Sequence, residues 1–182
     1  MWAIEQFDVV PDVMTIGKGI GGGFPLSGLA STDAIMASEP FSDPSGSSSS
    51  YGGNPLAAAA GLGAIEAIVG EGLVANSARV GAVLQDALKA LMDKYRFIGD
   101  VRGRGLLIGV ELVADRKTKE PLDKKITRAL FHEALNRGLV TMSYNHVIRI
   151  NPPLVLTEDE ALRGAAILDE SFATIARTFD LD

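Results

Sequence analysis

The sequence predicts an α/β protein in two unequal parts. Residues 73–182 read as a compact α+β unit, and residues 1–72 as the tail of a larger α/β domain whose beginning lies upstream. Two observations lead there. The second part alternates 3.6-period apolar stripes with short β-favouring runs, enough elements to close a core. The first part has only one or two short β runs, a glycine-rich stretch and one Ala-rich segment, too few partners to close one.

The elements follow in chain order. Residues 8–16 hold a short β-favouring run, with Pro11 and Asp12 leading into it, that ends at Gly17. Five glycines then fall within 17–23, where a stable helix is not expected. A second β run follows at 26–30, and 33–38 suits a helical turn. Residues 42–50 form a polar Ser-rich loop, and Pro55 opens an Ala-rich helix over 56–69, as a proline in a first helical turn does. Gly70 and Gly72 end it. The next helix, 73–95, carries Val80, Leu84, Leu88 and Leu91 on one stripe. Strands are expected at 97–102 and 105–113 around Gly103-Arg104-Gly105, then a charged turn over 115–121 and a helix over 123–137 capped by Gly138. Two more strands, 139–143 and 147–151, flank a turn at Tyr144-Asn145-His146. Thr157 with Glu160 makes a capping box for a last helix over 158–178.

Composition excludes several functions. Apolar residues make up 47% and charged ones 22%, the balance of a globular chain and not a disordered one. There is no cysteine, and two isolated histidines, His132 and His146, do not make a metal site, so no metal is expected. A net charge of −6 with scattered Lys and Arg disfavours nucleic acid. No apolar run reaches the ~20 residues that span a bilayer, so no membrane role is expected. The start has no basic segment followed by an apolar one, which makes the cytoplasm the default location.

The chemistry concentrates around Lys18, in Pro11-Asp12-x-x-Thr15-x-x-Lys18-Gly19-x-Gly21-Gly22-Gly23-x-Pro25-Leu26-Ser27. A lysine that forms an imine must reach a carbonyl carbon and be neutral part of the time; the glycines let the chain turn beside a bulky ligand. The same residues also suit a solvated loop lysine. A Walker loop fails, because Asp12 and Gly19 stand where a glycine and a Ser or Thr are required. Gly17-x-Gly19-x-x-Gly22 fits the dinucleotide fingerprint in spacing, but Gly23, Pro25 and Gly28 follow where a helix should open.

Four motifs in order decide between these readings. The Lys18 segment resembles the lysine signature of class III aminotransferases, fold-type I pyridoxal-phosphate (PLP) enzymes. Ser50-Tyr51-Gly52-Gly53-Asn54-Pro55-Leu56 resembles the family's Thr-Phe/Tyr-Gly-Gly-Asn-Pro motif. Val101-Arg102-Gly103-Arg104-Gly105-Leu106 and Val147-Ile148-Arg149-Ile150-Asn151-Pro152-Pro153-Leu154 resemble two pieces of its small domain. Trp2-Ala3-Ile4-Glu5 resembles the segment after the family's Asp-Glu-Val-Gln stretch, so the likeness runs along nearly the whole chain.

The resemblance implies the tail of a PLP-binding large domain over 1–72 and a small C-terminal domain over 73–182. It implies that Lys18 forms the Schiff base with PLP and moves a proton during catalysis. Ser50, where the family usually has Thr, would bind the cofactor phosphate of the neighbouring subunit, otherwise being a loop serine. Arg149 would bind a substrate carboxylate through its planar fork, the alternative being a structural salt bridge. Arg102 and Arg104 read as structural or surface residues. The implied partners are a small-molecule amine donor and a keto-acid acceptor, such as 4-aminobutyrate and 2-oxoglutarate, in a homodimer with sites at the subunit interface. The family's aspartate at the pyridine nitrogen, its ring-stacking aromatic and its phosphate loop lie upstream, so these residues alone are not expected to be a competent transaminase. A PLP-dependent racemase or aminomutase and a non-catalytic assembly fragment are the other readings.

Overall fold

A computed structural model describes the chain except Ser47, Tyr144 and Asp182; parts of the polar loop at 42–50 and of the turn at 144–146 therefore lie outside the described residues. The chain divides into two compact units, Met1–Gly72 and Leu73–Asp182.

In the first unit, β1 (Val13–Ile16) pairs antiparallel with β2 (Gly28–Ser31), Ile16 opposite Gly28. The glycine-rich segment is the connection between them. It holds one 3-10 turn, Lys18–Gly21, closed by Gly22 N–H to Gly19 C=O at 3.1 Å. The glycines thus permit a single tight turn while preventing a helix from propagating. A short helix, α1 (Asp33–Met36), follows, capped by Thr32. Helix α2 (Pro55–Gly70) begins where Asn54 Oδ1 accepts from the amides of Leu56 and Ala57 at 2.9 and 3.2 Å. It lies against the glycine turn: a Cβ on Gly61 would stand 2.4 Å from Leu26 Cδ2, and one on Gly22 3.3 Å from Ala64 Cβ.

The second unit opens with α3 (Leu73–Lys94). Then come β3 (Ile98–Arg104), β4 (Leu107–Asp115), the two-residue β5 (Glu120–Pro121), α4 (Lys124–Asn136), β6 (Val147–Ile150) and α5 (Glu158–Phe179). Strand β4 is central and antiparallel to the rest, with β3 on one edge and β6 and β5 on successive lengths of the other. The hairpin turns at Gly105-Leu106, with Gly105 at φ 52°, so Gly103 and Arg104 belong to β3 and not to a turn. Residues 139–143 do not form the expected strand. Leu139 N–H bonds Ala134 C=O at 2.9 Å and stays tied to the end of α4, leaving Met142 opposite Arg149 as an isolated bridge.

Alternation sets the two faces of the sheet. Val101, Ile108, Val110 and Ile148 point inward; Arg102, Gly109, Glu111 and Arg149 point outward. The stripe Val80, Leu84, Leu88 and Leu91 of α3 meets this inward face together with Leu168, Phe172 and Ile175 of α5 and Leu130 of α4. Thr157 and Glu160 form the capping box of α5.

Helices α3 and α5 are also joined by an aromatic and ionic cluster. The Tyr95, Phe97 and Phe172 rings lie 5.4–5.6 Å apart. Lys94 Nζ donates to Asp169 Oδ1 at 2.6 Å, and the Tyr95 hydroxyl donates to the Asp169 carbonyl at 3.0 Å and to its carboxylate. Burial pushes the Asp169 carboxyl up, but hydrogen bonds from Lys94 and Tyr95 outweigh it and hold it below the usual carboxylate range. A depressed folded-state pKa gives stability that is present above the unfolded value, about 3.9, and lost as pH falls through the folded one. Denaturation midpoints followed from about pH 6 to about pH 2 are expected to fall less steeply for Asp169→Asn than for the parent.

Candidate functional site

Lys18 is the first residue after Gly17 at the end of β1, at φ 53°. That left-handed conformation is uncommon for a side chain other than Gly, Asn or Asp and costs about 1–2 kcal/mol. The side chain is exposed, and its amine makes no hydrogen bond or ion pair among the described residues. A Cβ on Gly19 or Gly23 would meet nothing within 4 Å. The lysine therefore borders open room that the unit does not fill with its own side chains.

Ser50 lies in the exposed turn before α2, between Ser49, whose C=O accepts from Gly52 N–H at 3.1 Å, and Tyr51, whose C=O accepts from Asn54 N–H at 3.2 Å. Its hydroxyl has no partner among the described residues, nor does a hydrogen bond join it to Lys18. Both residues belong to the first unit.

Arg149 belongs to the second, on the outward face of β6 opposite Gly109 of β4. Among the described residues its guanidinium has no ion pair, so the structural salt bridge is not formed. Exposure also removes the desolvation cost expected of a charge in an apolar strand. The arginine lines an open cavity of about 310 Å³ with Met142, Ile150, Asn151 and Leu168. Sequence reasoning did not find this cavity, because its walls come from positions 84, 139–142, 149–156 and 160–168 and no local pattern links them.

Arg102 is held by Asp100 at 2.7 Å, with Glu111 at 3.7 Å; the Asp100 hydrogen bond raises its pKa, as befits a structural cation. His132 is exposed on α4 with its ring 5.4 Å from Phe131, and His146 follows the loop before β6.

PLP needs a primary amine for its aldehyde, hydroxyl and amide donors for its phosphate, and clearance for its ring. Lys18, Ser50 and the unfilled space at Gly19 and Gly23 fit those needs. A lysine at a strand end in a glycine-rich connection, followed by an α+β unit with an outward strand arginine, fits the fold-type I transferase class.

Within that class the chain belongs to the class-III aminotransferases, whose family model matches residues 1–172. It is 39% identical over 166 residues to the mitochondrial alanine–glyoxylate aminotransferase 2 homolog 2 of Arabidopsis thaliana, covering 88% of this chain and 33% of the relative. It is 37% identical to a leucine/methionine racemase of Thermococcus litoralis, covering 96% and 39%. An amine transaminase from an uncultivated Pseudomonas species, solved in its PLP-bound form, superposes with a TM-score of 0.86 at 34% identity, covering 94% of this chain and 40% of that one. The chain spans about a third to two-fifths of the length of these relatives.

Proposed function

We propose that this chain works within a PLP-dependent homodimeric aminotransferase, moving an amino group from an amine or amino acid to a keto acid. The observation that carries the reading is Lys18: an amine unpaired among the described residues, on a strained left-handed backbone, beside glycines that leave space around it. Backbone strain of this kind persists where a side chain must be aimed at a ligand. PLP, when bound, supplies the electron sink that lets a bond at the substrate carbon break. Lys18 Nζ would hold the cofactor and take up and return the proton at the substrate's Cα. The Ser50 hydroxyl would donate to the phosphate of the neighbouring subunit's cofactor. Arg149 orients the substrate by pairing with its carboxylate, a bidentate contact that an ammonium could not reproduce.

The test is borohydride reduction of the protein after addition of PLP, followed by peptide mapping. A pyridoxyl mass on Lys18 is expected; a label elsewhere, or none, overturns the assignment. The likeness to the racemase favours one second reading. Solvent deuterium appearing at the α-carbon, with no amino group passed to any keto acid, would replace transamination with racemisation.

A further inference from the structure

One side chain ties helix α3 to the connection that leaves β6. Asn76, in the first turn of α3, donates from Nδ2 to the Leu154 carbonyl at 2.7 Å and to the Leu156 carbonyl at 3.0 Å. The Leu156 amide donates back to the Pro153 carbonyl at 3.0 Å, so both captured carbonyls belong to one tight turn ahead of the Thr157 cap of α5. The Asn76 amide is itself aimed. Its Oδ1 accepts from Arg79 Nη2 at 2.8 Å, and Arg79 pairs with Glu158 in the first turn of α5. Between β6 and Leu154 stand Asn151, Pro152 and Pro153. Each proline ring fixes its own φ near about −65° and holds the residue before it to extended backbone. Those three residues form a short stiff rod, which passes on a displacement that a glycine- or serine-rich connection would absorb. On its outer edge β6 is held, among the described residues, by a single isolated bridge, Met142 opposite Arg149.

We propose that Asn76 is a positioning residue: by pinning the Leu154 and Leu156 carbonyls it sets, through the Asn151-Pro152-Pro153 rod, the end of β6 that carries Arg149. A bidentate contact between guanidinium and carboxylate tolerates little tilt, so the orientation of that strand end decides whether one or two bonds form. Asn76 acts on the backbone and touches neither substrate nor cofactor. The catalytic consequence rests on the reading of Arg149 as the partner of a substrate carboxylate; the mechanical link from Asn76 to β6 does not.

Hydrogen exchange reads the mechanical link without cofactor. Asn76→Ala removes the tie, whereas Pro153→Gly keeps the captured carbonyls and softens the rod. Both variants should speed deuterium uptake at the amides of residues 147–150 by about tenfold, while β3 and the middle of α3 keep their parent rates. A tie that serves the turn alone would speed exchange over 154–158 and leave β6 unchanged. That result overturns the proposal, as does an effect of Asn76→Ala on β6 that Pro153→Gly fails to share. Amino transfer gives the second readout. With 4-aminobutyrate as donor, KM should rise about tenfold in both variants, as for one charge-assisted hydrogen bond lost from a bidentate pair, with kcat little changed. Butylamine has the same chain without the carboxylate and should keep its parent KM; a general loss of structure would raise both. Arg149→Gln separates the two readings. If it does not discriminate between the donors, the carboxylate role of Arg149 falls and the exchange result stands. If it does and the other two variants do not, only the role of Asn76 falls.

Discussion

Lys18→Gly is expected to abolish amino transfer while leaving the fold slightly more stable. Two magnitudes decide the second half. A left-handed non-glycine residue costs about 1–2 kcal/mol, and glycine relieves it. Glycine also adds unfolded-state entropy worth about 0.5–1 kcal/mol against folding. The strain is the larger, so a net gain of about 0.5–1 kcal/mol is expected in chemical denaturation. The catalytic loss runs the other way and is far larger. Removing a positioned proton carrier costs about 10²–10⁴ in rate. Lys18→Ala should lose the same activity without the stability gain, since alanine keeps the strained conformation. An added small primary amine should restore part of the rate in both variants, a rescue that a lysine with a merely structural role would not show. Retention of transfer in Lys18→Ala would remove Lys18 from the chemistry.

Gly81→Ala is expected to destabilise the second unit by at least about 3 kcal/mol, although alanine is the better helix former. In a free helix the exchange favours alanine by about 1 kcal/mol. Here a Cβ on Gly81 would stand 2.2 Å from the carbonyl carbon of Gly105 and 2.3 Å from its oxygen. Those are backbone atoms of the turn between β3 and β4 and cannot swing away as a side-chain end could. Overpacking by flexible groups already costs 1–3 kcal/mol. Separating α3 from the hairpin costs more, because it also breaks the Gln85 Nε2 bond to Gly105 C=O and the Leu106 N–H bond to Ser77 Oγ, at 3.3 and 3.1 Å. Urea denaturation measures the difference. An unchanged midpoint would show that the helix and turn can part cheaply. Because β3 and β6 both hang on β4, the distortion should also loosen the strand that carries Arg149.

Elements with a strong local signal were legible. The α3 stripe closes on the sheet, Pro55 starts α2, and Thr157 with Glu160 starts α5. Each rests on contacts within a few residues, or on a period that one face of a helix must satisfy. The hairpin turn was misplaced at 103–105, because three glycine and arginine residues in a row offer several turn registers. Pairing with β4 chooses Gly105-Leu106. The strand expected at 139–143 was lost to the end of α4, where the Leu139 amide bonds Ala134. β-Favouring residues there had no information about which backbone groups would remain free to pair.

The candidate residues divide in the same way. Sequence by itself determined that Lys18 sits among glycines after a strand, that Ser50 precedes a helix opened by Pro55 and that Arg149 lies on a strand. Those are properties of neighbours along the chain. Only the tertiary structure decided that Lys18 holds a left-handed conformation, its amine unpaired among the described residues. It alone decided that Arg149 faces outward opposite Gly109 and not into a salt bridge. It also decided that an aliphatic cavity opens beside that arginine from segments far apart in sequence. Exposure, pairing and empty space are set by what the rest of the chain brings to a residue, and a one-dimensional pattern does not carry that.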